Sequence, residues 1–401
     1  MSTAATTTGL RISIVWLIFA GVCSPLGFNV TPALLPPIQA EFALDTARMQ
    51  WMVSLYSLTL GLGQLLGGPL ADALGRRSVL LAGLAIFVAG SAAAALAPTY
   101  EALLGARLAQ GLGACATLVV PRATVRDTHS GNDAARAMAL VMLSLAFTPL
   151  LAPFFGAFIE THFGWRAAFV ACALVGAAIF AGALRLHTET LPRERRIPLK
   201  LLPLAYGYVM VLRSWRFCAY ATSFSLLNCT FIGLMVVGPP YFARAHGLSS
   251  NGIALAMLAA YLGFTFGNFA AARRVRRAGV DRLIAAGVLT CAIGSLLLFP
   301  ALASGSLSFL LLGLFLQALG TGFAFSPGIA GATATLPERA GTAAAMTGAI
   351  QLGGGALFAF ATGALDDGTF QPHAWACTSV CAAAGLLAWP LWHGRHRRPV
   401  A

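Results

Sequence analysis

The chain has 401 residues, of which 58% are hydrophobic and 10% are charged, against roughly a quarter charged in an ordinary soluble domain. This excludes a soluble globular fold, because the apolar residues come in runs of about 20, the length that carries a helix across bilayer hydrocarbon. The net charge of +13 does not mark a nucleic-acid binder either, since the cations sit in the gaps between apolar runs and form no basic face.

In chain order, the first run starts near Ile12 and continues past Pro25 to Pro36 without an A-x-A cleavage pattern, so it reads as a retained helix and not as a signal peptide. Further spans are expected near 49–70, 79–97, 102–122, 137–159, 166–186, 217–242, 252–272, 283–302, 307–330, 341–364 and 374–392. With the first, near 12–37, the total is twelve. The break at His187–Trp215 carries ETLPRERRIPLK and divides the spans six and six. The expected domains are therefore 1–186, a linker at 187–216, and 217–401. Within the linker, Leu199–Leu212 reads either as a short amphipathic helix on the membrane surface or as plain connection.

Charge sets the orientation. With the N-terminus in the cytoplasm, every Lys and Arg falls in a cytoplasmic segment except Arg48, Arg166 and Arg244 in outer loops and Arg107 inside a span. That asymmetry predicts a multi-pass inner-membrane protein with both termini cytoplasmic. The halves also echo one another: GRRSVLLAG at Gly75–Gly83 and GVDRLIAAG at Gly279–Gly287 each open the third span of a half. Paired halves that rock about a site between them are a device of membrane carriers.

The eight cysteines (Cys23, Cys115, Cys172, Cys218, Cys229, Cys291, Cys377 and Cys381) lie in apolar runs without a metal-type CxxC pair, and read as small buried hydrophobes. No metal, cofactor or nucleic-acid partner is expected. The absence of a nucleophile–base pair argues against an enzyme.

Three motifs remain. Gly68-Pro69-Leu70-Ala71-Asp72-Ala73-Leu74-Gly75-Arg76-Arg77 joins the second and third spans, and Asp72 can pair with Arg76 or sit at a helix N-terminus. Arg107, followed by Gln110, Gly111 and Gly113, puts a guanidinium deep in the fourth span, where it should point into the bundle or a watery cavity. Pro149, Pro153 and Gly156 in the fifth span suit a helix that kinks and slides.

The first motif is similar to the loop signature G-x-L-a-D-r-x-G-r-k of the major facilitator superfamily, with Ala73 in place of the arginine. The second resembles its R-x-x-q-G-x-G signature, and the third a loosened antiporter signature. Ser54-Leu55-Tyr56 with Gly63-Gln64, Arg122 with Val125-Arg126-Asp127, and Gly164-Trp165-Arg166-Ala167-Ala168-Phe169 resemble the drug:proton antiporters, nearest the bicyclomycin and chloramphenicol/florfenicol resistance branch. The resemblance implies an all-α membrane protein of twelve transmembrane helices in two pseudo-symmetric six-helix bundles. It implies efflux of small organic compounds, amphenicols among them, by alternating access from a monomer. It further implies a conformational latch at Gly68, Asp72, Gly75, Arg76 and Asp127 that stabilises the outward-facing form, and a helix kink at Pro149, Pro153 and Gly156.

Proton antiport is also implied by the resemblance, but Asn29 stands where the branch has an aspartate, and asparagine does not titrate. All thirteen acidic residues fall in loops or at helix ends. Asn29, Tyr56, Arg107, Gln110 and Met142 are the expected cavity residues. A cavity with an arginine and no acid favours neutral, zwitterionic or anionic cargo over lipophilic cations. Export of an endogenous metabolite such as a siderophore, and a non-transporting membrane sensor, are the alternatives.

Overall fold

The computed structural model describes residues 14–365 and 367–393. Asp366 and the terminal cations Arg11, Arg395, Arg397 and Arg398 lie outside the described residues. Three helical pieces, Ile14–Ala20, Cys23–Asn29 and Thr31–Glu41, follow one another as a broken first helix, α1. Then come α2 (Trp51–Leu74), α3 (Arg76–Ala95), α4 (Tyr100–Thr128), α5 (Gly131–Phe163) and α6 (Trp165–Leu186). A short α7 (Leu201–Leu212) precedes α8 (Trp215–His246), α9 (Ser250–Ala278), α10 (Val280–Ser304), α11 (Leu307–Ala334), α12 (Ala340–Ala364) and α13 (Gln371–His393).

Each of the twelve expected spans is a helix, and ten have the length and hydropathy to cross a membrane. The other two, α2 with 24 residues and α5 with 33, are also long enough to cross. Several helices outrun their apolar stretch. α4 continues through Arg122 and Arg126 to Thr128, and α9 through Arg273–Arg277 to Ala278, because a helix satisfies its own backbone wherever the bilayer ends.

One apolar core, with Leu34, Tyr56, Phe87, Leu103 and Phe169 at its centre, joins α1 to α6. Others join α8 to α13, one around Met235, Tyr261, Leu314 and Phe370 and another around Phe224, Ile284, Cys291 and Cys381. Outward faces carry large apolar side chains open to the surroundings, among them Leu112, Leu174, Leu289, Leu357 and Leu386. A continuous apolar surface of this extent is covered by lipid.

The segment before α8 is a helix docked on the bundles. Tyr208 Oη of α7 donates to the Leu65 carbonyl of α2 at 2.5 Å, and Val211 is buried with Phe217, Ala343 and Met346.

The sequence echo is a structural repeat. Gly75 (φ +97°) and Gly279 (φ +80°) both stand in a conformation that favours glycine at the helix-to-helix turn. Beyond them, Gly83 and Gly90 of α3 press on the α4 backbone, and Gly287 and Gly294, each 204 positions later, press on α11 in the same way.

Candidate functional site

Arg107 is completely buried. Its Nε donates to the Met52 carbonyl of α2 at 3.3 Å, Nη1 to the Gly27 carbonyl of α1 at 3.1 Å and to Gln110 Oε1, and Nη2 to Thr31 Oγ1 at 3.0 Å. The guanidinium lies 4.3 Å from the centre of the Tyr56 ring. Neutral acceptors and a π face thus carry a charge that would otherwise be prohibitive at this depth. Tyr56, itself buried, donates from Oη to the Ser24 carbonyl at 2.8 Å. Asn29 Nδ2 donates to the Pro25 carbonyl of its own helix at 2.7 Å, just before the break at Val30.

Tyr56, Arg107 and Gln110 therefore come together as one knot inside the first bundle that ties α1, α2 and α4, while Asn29, between Gly27 and Thr31 in α1, is buried and bonded to its own helix. This departs from the expectation of a wet pocket: in this structure the four are sealed among helices. The side chain of Met142 lies outside the described residues.

The repeat explains Gln110. Its Nε2 donates to Ser91 Oγ of α3 at 2.8 Å, and in the second bundle Gln317 Nε2 of α11 donates to Ser295 Oγ of α10 at 2.9 Å. The glutamine–serine clasp belongs to both bundles, whereas the arginine belongs to one, the position equivalent to Arg107 being Leu314. Gln110 is prominent in the sequence, whereas Ser91 is signalled only by the paired glutamines and serines of the two repeats and Thr31 by no local pattern.

At the end of the bundle marked by Gly75, Arg76 ion-pairs with Asp72 (Nη1 to Oδ1, 2.6 Å) and with Asp127 (Nε to Oδ2, 2.9 Å). A third acid, missed from sequence, completes the cluster: Glu189 accepts from the Arg76 backbone N–H at 2.9 Å and pairs with Arg196 at 3.5 Å. The Ile197 N–H donates to the Asp72 carbonyl at 3.1 Å. The linker after α6 is thereby laid against the turn. A Cβ at Gly75 would fall 2.6 Å from Arg196 Nη2 and 2.9 Å from the Glu189 carboxylate carbon. Gly68, expected as part of the latch, has open space where a Cβ would stand, whereas a Cβ at Gly67 would fall 3.0 Å from Cys115 Sγ.

α5 runs as one helix through Pro149 and Pro153. Gly156 crosses α1 at its break, where a Cβ would sit 2.6 Å from Val30 Cγ2 and 3.1 Å from the Val30 carbonyl oxygen. The expected sliding helix therefore bears on the broken one.

The bundles are in close contact at the end distant from Asp72, here termed the outer end. Ala33, Ala157 and Ala254 of α1, α5 and α9 form one buried contact, and the Trp51 and Phe360 rings meet 4.9 Å apart with their planes tilted by 58°. Gln50 is fully buried against Gly363 of α12, and neither atom of its amide has a hydrogen-bond partner. α2 and α12 stay in contact further inward, with Ser54 Oγ donating to the Ala356 carbonyl at 3.2 Å and Gly61 against Leu352 and Gly353. Midway along the helices the interface turns polar. Gln64 of α2 faces Gly348, and Gln351 Nε2 of α12 donates to Asn228 Oδ1 of α8 at 3.2 Å. Asn268 accepts from Ser326 Oγ at 2.5 Å, joining α9 to α11. Among the described residues no acidic side chain lies in the middle of a span.

Twelve helices in two repeats, a charged turn between the second and third, and a polar layer where the bundles meet define a multi-pass membrane carrier. The family model of the Major Facilitator Superfamily matches residues 17–249 and 217–401, and the chain belongs to that superfamily. An uncharacterised transporter of the superfamily from Bacillus subtilis, YdgK, is 27% identical over 94% of each chain. A chloramphenicol resistance protein of Pseudomonas aeruginosa is 31% identical over 57% of this chain and 54% of its own, and multidrug resistance protein D of Escherichia coli is 28% identical over 80% and 82%. In fold, the chain is similar to a D-xylose–proton symporter (TM-score 0.76, 17% identity, 94% and 96% covered) and to the human organic anion transporter MFSD10 (0.67, 19%, 96% and 99%). The chain is thus a transporter, not an enzyme.

Proposed function

We propose that this transporter exports small organic compounds, amphenicol-type antibiotics among them, by alternating access between its two six-helix units, 1–186 and 217–401. The observation that carries this reading is the asymmetry of the interface. The outer end is closed by Ala33, Ala157, Ala254 and Gln50, while the polar layer of Gln64, Asn228 and Gln351 lies further in. On this reading the closed outer end belongs to a carrier that admits cargo from the inner side. The names of the drug-resistance relatives support the cargo class.

In this reading the charged end faces the cytoplasm of a bacterial inner membrane and the monomer is the working unit. The resemblance implies a latch for the outward-facing form; the Arg76 cluster is assembled here with the outer end closed, so in this reading it forms in the inward-facing state as well. Asn29 and the lack of a mid-span acid among the described residues leave no carboxylate in the membrane to carry a proton, so the drive is not routed through one. Gln64, Asn228 and Gln351 contact cargo, and the Arg107 knot holds α1, α2 and α4 rigid behind them. The test is expression in an efflux-deficient host. Accumulation of chloramphenicol should fall and resistance rise, and Asp127→Asn should remove both effects at equal protein level. Unchanged accumulation across neutral and acidic compounds would refute export.

A further inference from the structure

Arg107 is fully buried and spends four of its five N–H donors on the bundle itself, but a second arginine inside α4 has all of its donors to spare. By its apolar run the fourth span ends at Arg122. In the structure it lies six residues before the end of α4, about 9 Å inside along the axis, and it is only partly exposed. Among the described residues its guanidinium has no hydrogen-bond, ion-pair or ring partner; the titratable groups that bear on it are the buried Cys115 thiol and another cation, Arg126. Arg107 and Arg76, both buried in the first bundle, are answered: Arg107 by carbonyl and side-chain oxygens and the Arg76 guanidinium by Asp72 and Asp127.

Its direction follows from its neighbours on the helix. Cys115, Val119, Arg122 and Arg126 recur at helical spacing and form one stripe. Cys115 and Val119 lie against Gly63 and Gly67 of α2, and Arg126 Nη1 comes within 3.9 Å of the Cβ position of Gly341, the second residue of α12. The stripe therefore passes from the wall of the first bundle to the inner edge of the second, with Arg122 between. The equivalent position in the other repeat is Ile329. The second bundle has no matching charge, so this side of the entrance is positive.

Resting on the reading above, we infer that Arg122 is a specificity-determining residue: it receives the carboxylate of an acidic aromatic or amphipathic solute entering from the inner side, before the solute reaches the amide layer of Gln64, Asn228 and Gln351. A half-buried guanidinium without a partner is costly, and a carboxylate answers it with two charge-assisted hydrogen bonds. Neutral compounds pass the same entrance and do not use it.

The test compares 2-naphthoate with its uncharged 2-naphthamide by equilibrium dialysis on the full-length protein in phosphatidylcholine nanodiscs. Arg122→Gln should weaken 2-naphthoate about tenfold or more, the value of one charge-assisted hydrogen bond. Arg122→Lys should recover most of it, and 2-naphthamide should hold within about twofold throughout, which also reports a folded protein. Equal weakening of both compounds, no effect of Arg122→Gln, or no 2-naphthoate binding by the unaltered protein would overturn the inference. So would displacement of 2-naphthoate by phosphatidylglycerol in an Arg122-dependent manner, since the occupant would then be a lipid phosphate. Binding with this selectivity but without flux of either compound would count against export and leave the Arg122 site standing.

Discussion

Arg76 Nε and Asp127 Oδ2 meet at 2.9 Å across the turn between α3 and the end of α4, with the arginine almost wholly buried and the aspartate one-fifth exposed. This bond joins the third and fourth helices, while Arg76 Nη1 reaches back to Asp72 on the second. Asp127→Asn keeps the shape but leaves a buried guanidinium short of one charge, at a cost of about 1–3 kcal/mol. Asp72 is more open, 42% exposed, so Asp72→Asn should cost less in stability. Thermal unfolding of the detergent-solubilised variants gives the order, and Asp72→Asn proving the more damaging would contradict it.

Arg107 answers acceptors on three helices at once, so its loss should cost structure before chemistry. Arg107→Ala leaves the Met52 and Gly27 carbonyls and Gln110 Oε1 with fewer donors and opens a cavity, on the order of 4 kcal/mol. Arg107→Lys keeps the charge without the planar fork and should fall between the two. Melting temperature and chloramphenicol efflux should decline together along this series. Efflux lost at unchanged melting temperature would return Arg107 to direct contact with cargo.

The buried, unpaired amide of Gln50 tips the outer end toward opening, because water satisfies it only when α2 and α12 part. Gln50→Leu should hold that end shut. In an Ala254→Cys background, labelling by an externally added impermeant maleimide should slow about tenfold. Labelling at an equal or faster rate would refute the role.

His187, just beyond α6, accepts at Nδ1 from Trp16 Nε1 at 3.4 Å. Burial, helped by Arg77 and opposed by Glu189, pushes its pKa down to about 4. Protonation must break the Trp16 bond, and the unfolded chain takes the proton more readily. Stability therefore falls as pH drops from about 6.5 toward 4, by on the order of 2–3 kcal/mol. His187→Gln should flatten melting temperature against pH in that window, and an unchanged slope would contradict this origin.

The helices were legible in the sequence because lipid demands long apolar runs, and the charge cluster because its spacing is ordered. Function within the spans was harder to read. Hydropathy marks Arg107 as unusual but not which carbonyls surround it, since the break in α1 that aims Gly27 and Thr31 at it depends on packing against Gly156. The same measure ends the fourth span at Arg122 and so hides a cation that the helix keeps inside. Gln50 stands at the start of the expected second span, where nothing local marks its amide as buried, and the approach of Gly363, 313 positions away, buries it. Glu189 sits among basic linker residues, and nothing local reveals that it reaches Arg76.

Alternating access about the amide layer is tested most directly by counterflow. Proteoliposomes loaded with unlabelled chloramphenicol and diluted into a trace of labelled drug, with no pH gradient, should accumulate label transiently above equilibrium. Asp127→Asn should abolish the overshoot. Label entering no faster than through protein-free liposomes, with no overshoot and no saturation, would contradict the account.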